Sequence, residues 1–211
     1  MVPCIMCRSD ETALLGAFQE IRFYQCTVCQ SFFKDPSVYL DRETEKQRYE
    51  LHENDVDDIH YQKFVQPIFD AVIQKYSNEY TGLDFGAGTG PVITKLLRDK
   101  GYSVALYDPF FHPQTSVLKT KYDFIVCCEV IEHFHSPSKE FQMLFKLLKP
   151  GGTLFCMSEL IPNNQDFETW YYKNDPTHVI FYSEENLTWI KEHFGFSKVG
   201  IANRLISLYK Q

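Results

Sequence analysis

The stretch "LDFGAGTGP", residues 83–91, constrains this chain more than any other, because three glycines at alternate positions follow an apolar run and precede a helical one. Glycines spaced this way let a backbone turn sharply and let a ligand approach it with no Cβ between. Gly86, Gly88 and Gly90 therefore read as a binding loop. The preceding "YTGLDF" has the character of a short buried strand, while Val92, Ile93, Leu96 and Leu97 recur at helical spacing and Gly101 stands just past their end. Pro91 suits the first helical turn, where a missing N–H costs nothing. Strand, glycine turn and helix form the first half of a nucleotide-type βαβ unit. A dinucleotide fingerprint would read G-x-G-x-x-G/A, whereas here the third glycine comes one residue early, so NAD and FAD are not the expected ligands.

A second strand pattern, "YSVALYDPF", carries Asp108, 18 residues after Gly90 (108 − 90), about the interval at which such folds offer a carboxylate to ribose hydroxyls. "YDFIVCCEVIEHF" reads as a third buried strand ending in a polar cluster. "SPSKEFQMLFKLLKPGGTLFCMSE" reads as a helix, a Pro-Gly-Gly turn and a further strand. In "SEENLTWIKEHFG", Ser183 suits an N-cap and Gly195 a helix stop; "FSKVGIAN" and "RLISLYK" follow as a hairpin. The expected class is α/β, with one mixed sheet of seven-strand type or reduced to six.

"LDFGAGTG", "LYDP", "YDFIVCCEVIEHF" and "LLKPGGTLF", in this order and at these intervals, resemble the class I S-adenosylmethionine-dependent methyltransferases from about residue 81 to the C-terminus. The resemblance implies a Rossmann-like sheet, mostly parallel with the last strand antiparallel, and S-adenosylmethionine as cofactor. It sets Asp84 and the backbone of Gly86, Ala87, Gly88 and Gly90 against the methionine part and ribose side of that cofactor, and Asp108 against both ribose hydroxyls. Glu129 falls at the carboxyl end of the strand after the switch point, where ligands sit in such sheets. One departure stands out. Only 13 residues (109–121) separate Asp108 from Tyr122, so the usual second helix and third strand must shrink to something like "TSVLK". The acidic or amide residue that often reads adenine in this family has no clear counterpart.

Cys4-x2-Cys7 and Cys26-x2-Cys29, with 18 residues between them (8–25), have the spacing of two knuckles that together make a tetrahedral Cys4 zinc site. With all four positions filled by protein, such a metal would be structural. Its work would be to fold some 35 residues that cannot build a core alone. Cys127, Cys128 and Cys156 lie in apolar strand patterns and read as core.

Three segments result: a zinc ribbon (1–40), a helical bridge (41–80) and an S-adenosylmethionine-binding core (81–211). The bridge places Phe64, Ile68, Phe69, Val72 and Ile73 on one helical face, with Pro67 marking a kink or break. Asp55, Asp57 and Asp58 lack the glycine and glutamate of a calcium loop and read as a solvated helix start. No stretch has the length of a membrane span and the N-terminus lacks a signal-type apolar segment, so a cytoplasmic protein is expected. A net charge of −7 gives no general attraction to phosphate backbones.

Methyl transfer is an in-line displacement; the enzyme supplies alignment, and a base where the nucleophile carries a proton. His133 and His135 follow the strand end at Glu129, and His178 lies in the aromatic, polar segment "WYYKNDPTHVIFY", beside Tyr171, Asp175 and Tyr182. His178 and His133 are the expected catalytic residues, with the competing reading that they tie loops to the sheet. His52 is a further candidate if the bridge folds over the pocket, and Trp170 is expected to line it, with Trp189 in the core. The expected acceptor is a small molecule or metabolite. The alternatives are an RNA methyltransferase that uses the ribbon, whose cations are Arg8, Arg22 and Lys34, and a cofactor-binding adaptor without catalysis.

Overall fold

The computed structural model describes residues 2–51, 55–161 and 167–211. His52 lies outside them. The chain opens with a cysteine knuckle, then a hairpin of β1 (Thr12–Phe18) and β2 (Ile21–Cys26), a second knuckle and the short β3 (Phe32–Lys34). The two knuckles, "CIMCRS" and "CTVCQS", fold alike. The Cys4 N–H donates to Ser9 O and the Cys26 N–H to Ser31 O (both 2.9 Å), and the Arg8 and Gln30 N–H groups return to Cys4 O and Cys26 O (both 3.0 Å). Arg8 and Gln30 both take the left-handed backbone (φ 65° and 59°) that such a tight return requires.

Two helices follow. Asp41 caps α1 (Arg42–Glu50) through the Thr44 N–H, and Asp58 caps α2 (Ile59–Lys75) through the His60 N–H, as expected of a solvated start. Pro67 sits inside α2, which continues on both sides of it. The buried face of α2 is Val65, Ile68, Phe69 and Val72; Ile73, expected inward, is exposed.

Beyond these come β4 (Thr81–Phe85), α3 (Val92–Asp99), β5 (Ser103–Tyr107), β6 (Tyr122–Cys128), α4 (Pro137–Leu147), β7 (Leu148–Met157), β8 (Ile180–Phe181), α5 (Glu184–Phe194), β9 (Lys198–Ala202) and β10 (Leu205–Tyr209). Six strands form one sheet in the order β5-β4-β6-β7-β10-β9; the first four are parallel, and β10 runs antiparallel to both its neighbours. Between Asp108 and Tyr122 the chain makes an isolated bridge, Asp108 to His112, and a 3-10 turn, Thr115–Lys119, so the sheet has six strands where the family pattern has seven. The Pro-Gly-Gly sequence, expected as a turn before β7, instead bulges within that strand: Tyr122 faces Leu148, but Phe124 faces Thr153.

The pleat distributes one apolar run to two cores. Phe124 and Val126 of β6 and Phe155 and Met157 of β7 pack under α2 and α3, while Ile125, Cys127, Leu154 and Cys156 pack under α4 and α5. Covered on both faces, the central strands carry no polar alternation. The second core continues into the ribbon through Tyr24, Phe33, Cys4 and Cys26. The junction is also a sheet, because β8 pairs with β3 to complete β1-β2-β3-β8. Asn186 of α5 donates its Nδ2–H to Cys29 O at 2.6 Å. Among the described residues no helix is long and apolar enough to cross a membrane.

Candidate active site

Parallel strands direct their carboxyl ends to one edge of the sheet, and the loops leaving β4, β5 and β6 meet there. The glycine loop after β4 lies across the end of β5: the Gly86 and Ala87 N–H groups both donate to Tyr107 O (2.8 and 3.1 Å). Gly86 and Gly88 have φ of 81° and 60°, so the alternate glycines serve the turn itself. Asp108 ties the two loops together. Its Oδ2 accepts from the Gly88 N–H (3.0 Å), and its Oδ1 from the Phe110 and Phe111 N–H groups (2.8 and 3.0 Å). Asp84 lies below the loop, its Oδ2 taking the Thr94 hydroxyl at 2.8 Å; burial pushes its carboxyl up to about 6.

One cavity of about 1090 Å³ runs from this loop across the ends of the strands. Asp84, Gly86, Ala87, Gly88, Gly90, Asp108, Glu129, His133 and His178 all line it, as does His135. Cys128, expected in the core, lines it too. The roof is α1. Arg48 pairs with Asp175 through Nη2 (2.9 Å) and Nε (3.3 Å), and the Tyr49 ring meets the edge of His133 at 5.4 Å. Burial alone would raise the Asp175 carboxyl, but the Arg48 guanidinium and Thr177 hold it well below the usual carboxylate range.

The far wall is a half-buried charge cluster. Arg204, from the turn between β9 and β10, forks to Glu129 Oε2 and Glu159 Oε2, both at 2.6 Å. Tyr172 donates its hydroxyl to Glu132 Oε1 and, at 3.1 Å, to Glu129 Oε2. Burial pushes both glutamates up to about 7, with Glu132 adding to the rise at Glu129. His133 Nδ1 lies 3.0 Å from Thr177 O, and His178 Nδ1 2.8 Å from Tyr172 O. A carbonyl can only accept, so both Nδ1 atoms carry the proton and both Nε2 atoms keep a lone pair. Burial, then the neighbouring His133, drives His178 down to about 3, and burial lowers His133 as well. Both rings are neutral.

One expectation about the "WYYKNDPTHVIFY" segment changes. Trp170 does not line the cavity; it is 1% exposed, packs with Phe23, Tyr172 and Phe181, and donates its Nε1–H to Glu159 Oε1 at 2.9 Å. Tyr182 is equally buried, with its hydroxyl on Ile131 O. This segment is therefore mainly inner wall, and the cover is α1. His135 is exposed and turned toward Glu45 of α1, 3.8 Å away.

In the ribbon the four cysteines converge, all Sγ atoms within 4.8 Å of one another. Cys4 and Cys29, and Cys7 and Cys26, are each 3.5 Å apart, with no disulfide. Tetrahedral zinc with bonds of ~2.3 Å would set its sulfurs roughly 3.8 Å apart, so this donor set fits. Ser31 Oγ, at 3.3 Å from Cys4 Sγ and 3.2 Å from Cys29 Sγ, is placed to donate to a thiolate.

A family profile described as "Methyltransferase domain" matches residues 35–200. The chain belongs to that family. Its fold is that of the class I S-adenosylmethionine-dependent methyltransferases. The ubiquinone biosynthesis O-methyltransferase of Histophilus somni is 30% identical over 94 residues, which are 43% of this chain and 38% of that protein. The chain thus spans well under half the length of the curated relatives it matches. Among solved structures, a Burkholderia thailandensis 1,6-didemethyltoxoflavin-N1-methyltransferase with bound 1,6-didemethyltoxoflavin and S-adenosylhomocysteine superposes with a TM-score of 0.57 at 14% identity. That match covers 95% of this chain and 99% of the other. Human N-acetylserotonin methyltransferase in complex with SAM gives 0.52 at 12% identity, covering 80% of this chain and 56% of its own. At such identities these neighbours establish the fold of the methyltransferase.

Several cavity residues escaped sequence reasoning: Arg48 and Tyr49 on α1, Tyr172, and Arg204 in its hairpin turn. Each comes from a segment remote in sequence from the glycine loop. The one local hint was Arg204 itself, a lone cation between two strand patterns.

Proposed function

We propose that the protein transfers a methyl group from S-adenosylmethionine to a small-molecule acceptor bound beneath α1. The observation that carries this reading is the single cavity joining the glycine loop and Asp108 to the Glu129–His133–His178 wall. Its volume of about 1090 Å³ stands at the upper end of ligand pockets, which suits two ligands side by side. In this reading the loop backbone and Asp84 hold the methionine and ribose side, Asp108 accepts the ribose hydroxyls through lone pairs its backbone bonds leave open, and Glu129 faces the transferring end. His133 and His178 serve the acceptor side through Nε2. The small-molecule acceptors named for the similar proteins support that class. Of the ribbon's three named cations, Lys34 is withdrawn from RNA, buried with its Nζ donating to Asp175 O, while Arg8 and Arg22, the latter paired with Asp35 at 3.0 Å, stay exposed.

The cofactor assignment is tested by calorimetry with S-adenosylhomocysteine. Asp108→Ala is expected to weaken binding by about 1–3 kcal/mol, the cost of losing a charge-assisted hydrogen-bond partner. An unchanged affinity would remove Asp108 from the ribose. Transfer is then sought with a methyl-labelled donor against a panel of hydroxylated and N-heterocyclic small molecules and total RNA; label appearing only in RNA would overturn the acceptor class.

The roof makes a smaller prediction. Arg48 and Asp175 have side chains 37% and 25% exposed, so solvent screens their pairing. Arg48→Ala is expected to lower cofactor affinity by about 0.5–1 kcal/mol and to speed amide exchange in α1, read by hydrogen exchange. Unaltered exchange in α1 would show that the pair does not hold the roof.

We further propose that the four ribbon thiolates hold one structural zinc, which the two matched knuckles are shaped to bind.

A further inference from the structure

Glu132 is fully buried, yet its Oε2 meets no hydrogen-bond partner among the described residues. The Tyr172 hydroxyl serves Oε1. The Ser158 hydroxyl lies close by and eases the burial of charge, but it makes its hydrogen bond to Tyr172 at 3.3 Å. A buried acceptor left unpaired is expensive, and native structures rarely keep one without a reason. The reason is next to it. An imidazole nitrogen of His133, an imidazole nitrogen of His178 and a Glu132 carboxylate oxygen lie within 4.8 Å of one another. The rings stand 4.8 Å apart, nearly perpendicular.

Both histidines have spent their only proton. Each Nδ1–H is committed to a backbone carbonyl, of Thr177 or of Tyr172, so the free nitrogen on each ring is the Nε2 lone pair. Outer carbonyls that fix the tautomer in this way are the usual support of metal-binding histidines. With Glu132 ionised, the cluster offers two imidazole nitrogens and a carboxylate oxygen that a shared cation would pair. We propose that Glu132 Oε2 and the Nε2 atoms of His133 and His178 hold a divalent first-row transition ion. Two neutral imidazoles and one carboxylate form a donor set that such ions favour over calcium or magnesium. The two histidines line the cavity, so the ion has access from solvent and borders the acceptor side. This site is separate from the ribbon cysteines, whose sulfur donors select zinc.

Cobalt(II) tests the proposal without any turnover assay. Full-length protein carrying zinc in its ribbon is dialysed against cobalt chloride and analysed for both metals and for visible absorption. The expected result is one cobalt bound per chain with zinc retained, and weak d–d bands without thiolate charge transfer. Glu132→Gln and His178→Ala should each lower cobalt affinity at least tenfold, the scale on which weaker perturbations around metal sites already act. Thermal melting and S-adenosylhomocysteine binding, both measured without cobalt, verify that the variants fold. If both variants misfold, the wild type decides alone: a cobalt-dependent rise in melting temperature with zinc retained supports the site, and its absence overturns it. No bound cobalt, cobalt that binds equally to both folded variants, or cobalt that enters only by displacing zinc would each overturn the proposal.

Discussion

Serine at Cys4 and Cys7 together is expected to take the protein from one zinc per chain to none and to unfold the ribbon. The outer hairpin buries little of itself, since β1 is mostly exposed, with Leu14 59% accessible. A structural zinc contributes about 10–16 kcal/mol of apparent binding free energy that a small metal module spends on folding. The loss should spread. Phe32 and Phe33 of β3 pair with Phe181 and Ile180 of β8, and Cys29 O holds Asn186, so the wall that carries His178 leans on the ribbon. Metal analysis of the double variant, with hydrogen exchange over residues 1–40 and 170–190, checks both statements. Wild-type protein without metal, or a ribbon that stays protected once the metal has gone, would refute the zinc assignment.

Gly86→Ala should be the most damaging single methyl in the binding loop. At φ 81° the residue lies in left-handed space, and an added Cβ would come 2.4 Å from Val130 Cγ2. Left-handed backbone costs about 1–2 kcal/mol for an L side chain, and forcing atoms into a packed site a further ~1–3 kcal/mol. Val130 follows Glu129, which itself has φ 52°, so a shift there also moves the charge cluster. Gly88→Ala provides the contrast: its φ is 60°, but nothing lies within 4 Å of the added Cβ. Only the backbone term should remain, about 1–2 kcal/mol. Urea unfolding of the two variants side by side measures the difference. Equal losses would mean that the Gly86–Val130 contact does not constrain the loop.

What was legible in the sequence was what local chemistry encodes. The glycine turn, the Ser183 cap and Gly195 stop, the closing hairpin and the shortened "TSVLK" link each rest on a few adjacent residues, and each is where the sequence put it. The convergence of the four cysteines was legible because two short spacings report it. Side chains that meet only through the fold were less so. Nothing around Arg48 says that Asp175 lies across the cavity, and nothing around Arg204 names Glu129 and Glu159. Trp170 was assigned to the pocket because its segment is polar and aromatic, yet the polar groups face Lys34 and Arg48 while the indole turns into a second apolar cluster. Cys128 went the other way: it ends β6, and the last residue of a parallel strand borders the ligand edge, whatever its polarity.

The central claim is that the cavity between the glycine loop and α1 is built for S-adenosylmethionine. Titrating wild-type protein with S-adenosylhomocysteine in a calorimeter tests it most directly, because that product analogue needs no acceptor and no knowledge of one. Saturation at one molecule per chain is expected, with a matching rise in melting temperature that Gly86→Ala diminishes. Properly folded protein that shows neither heat nor thermal shift at millimolar ligand would contradict the account.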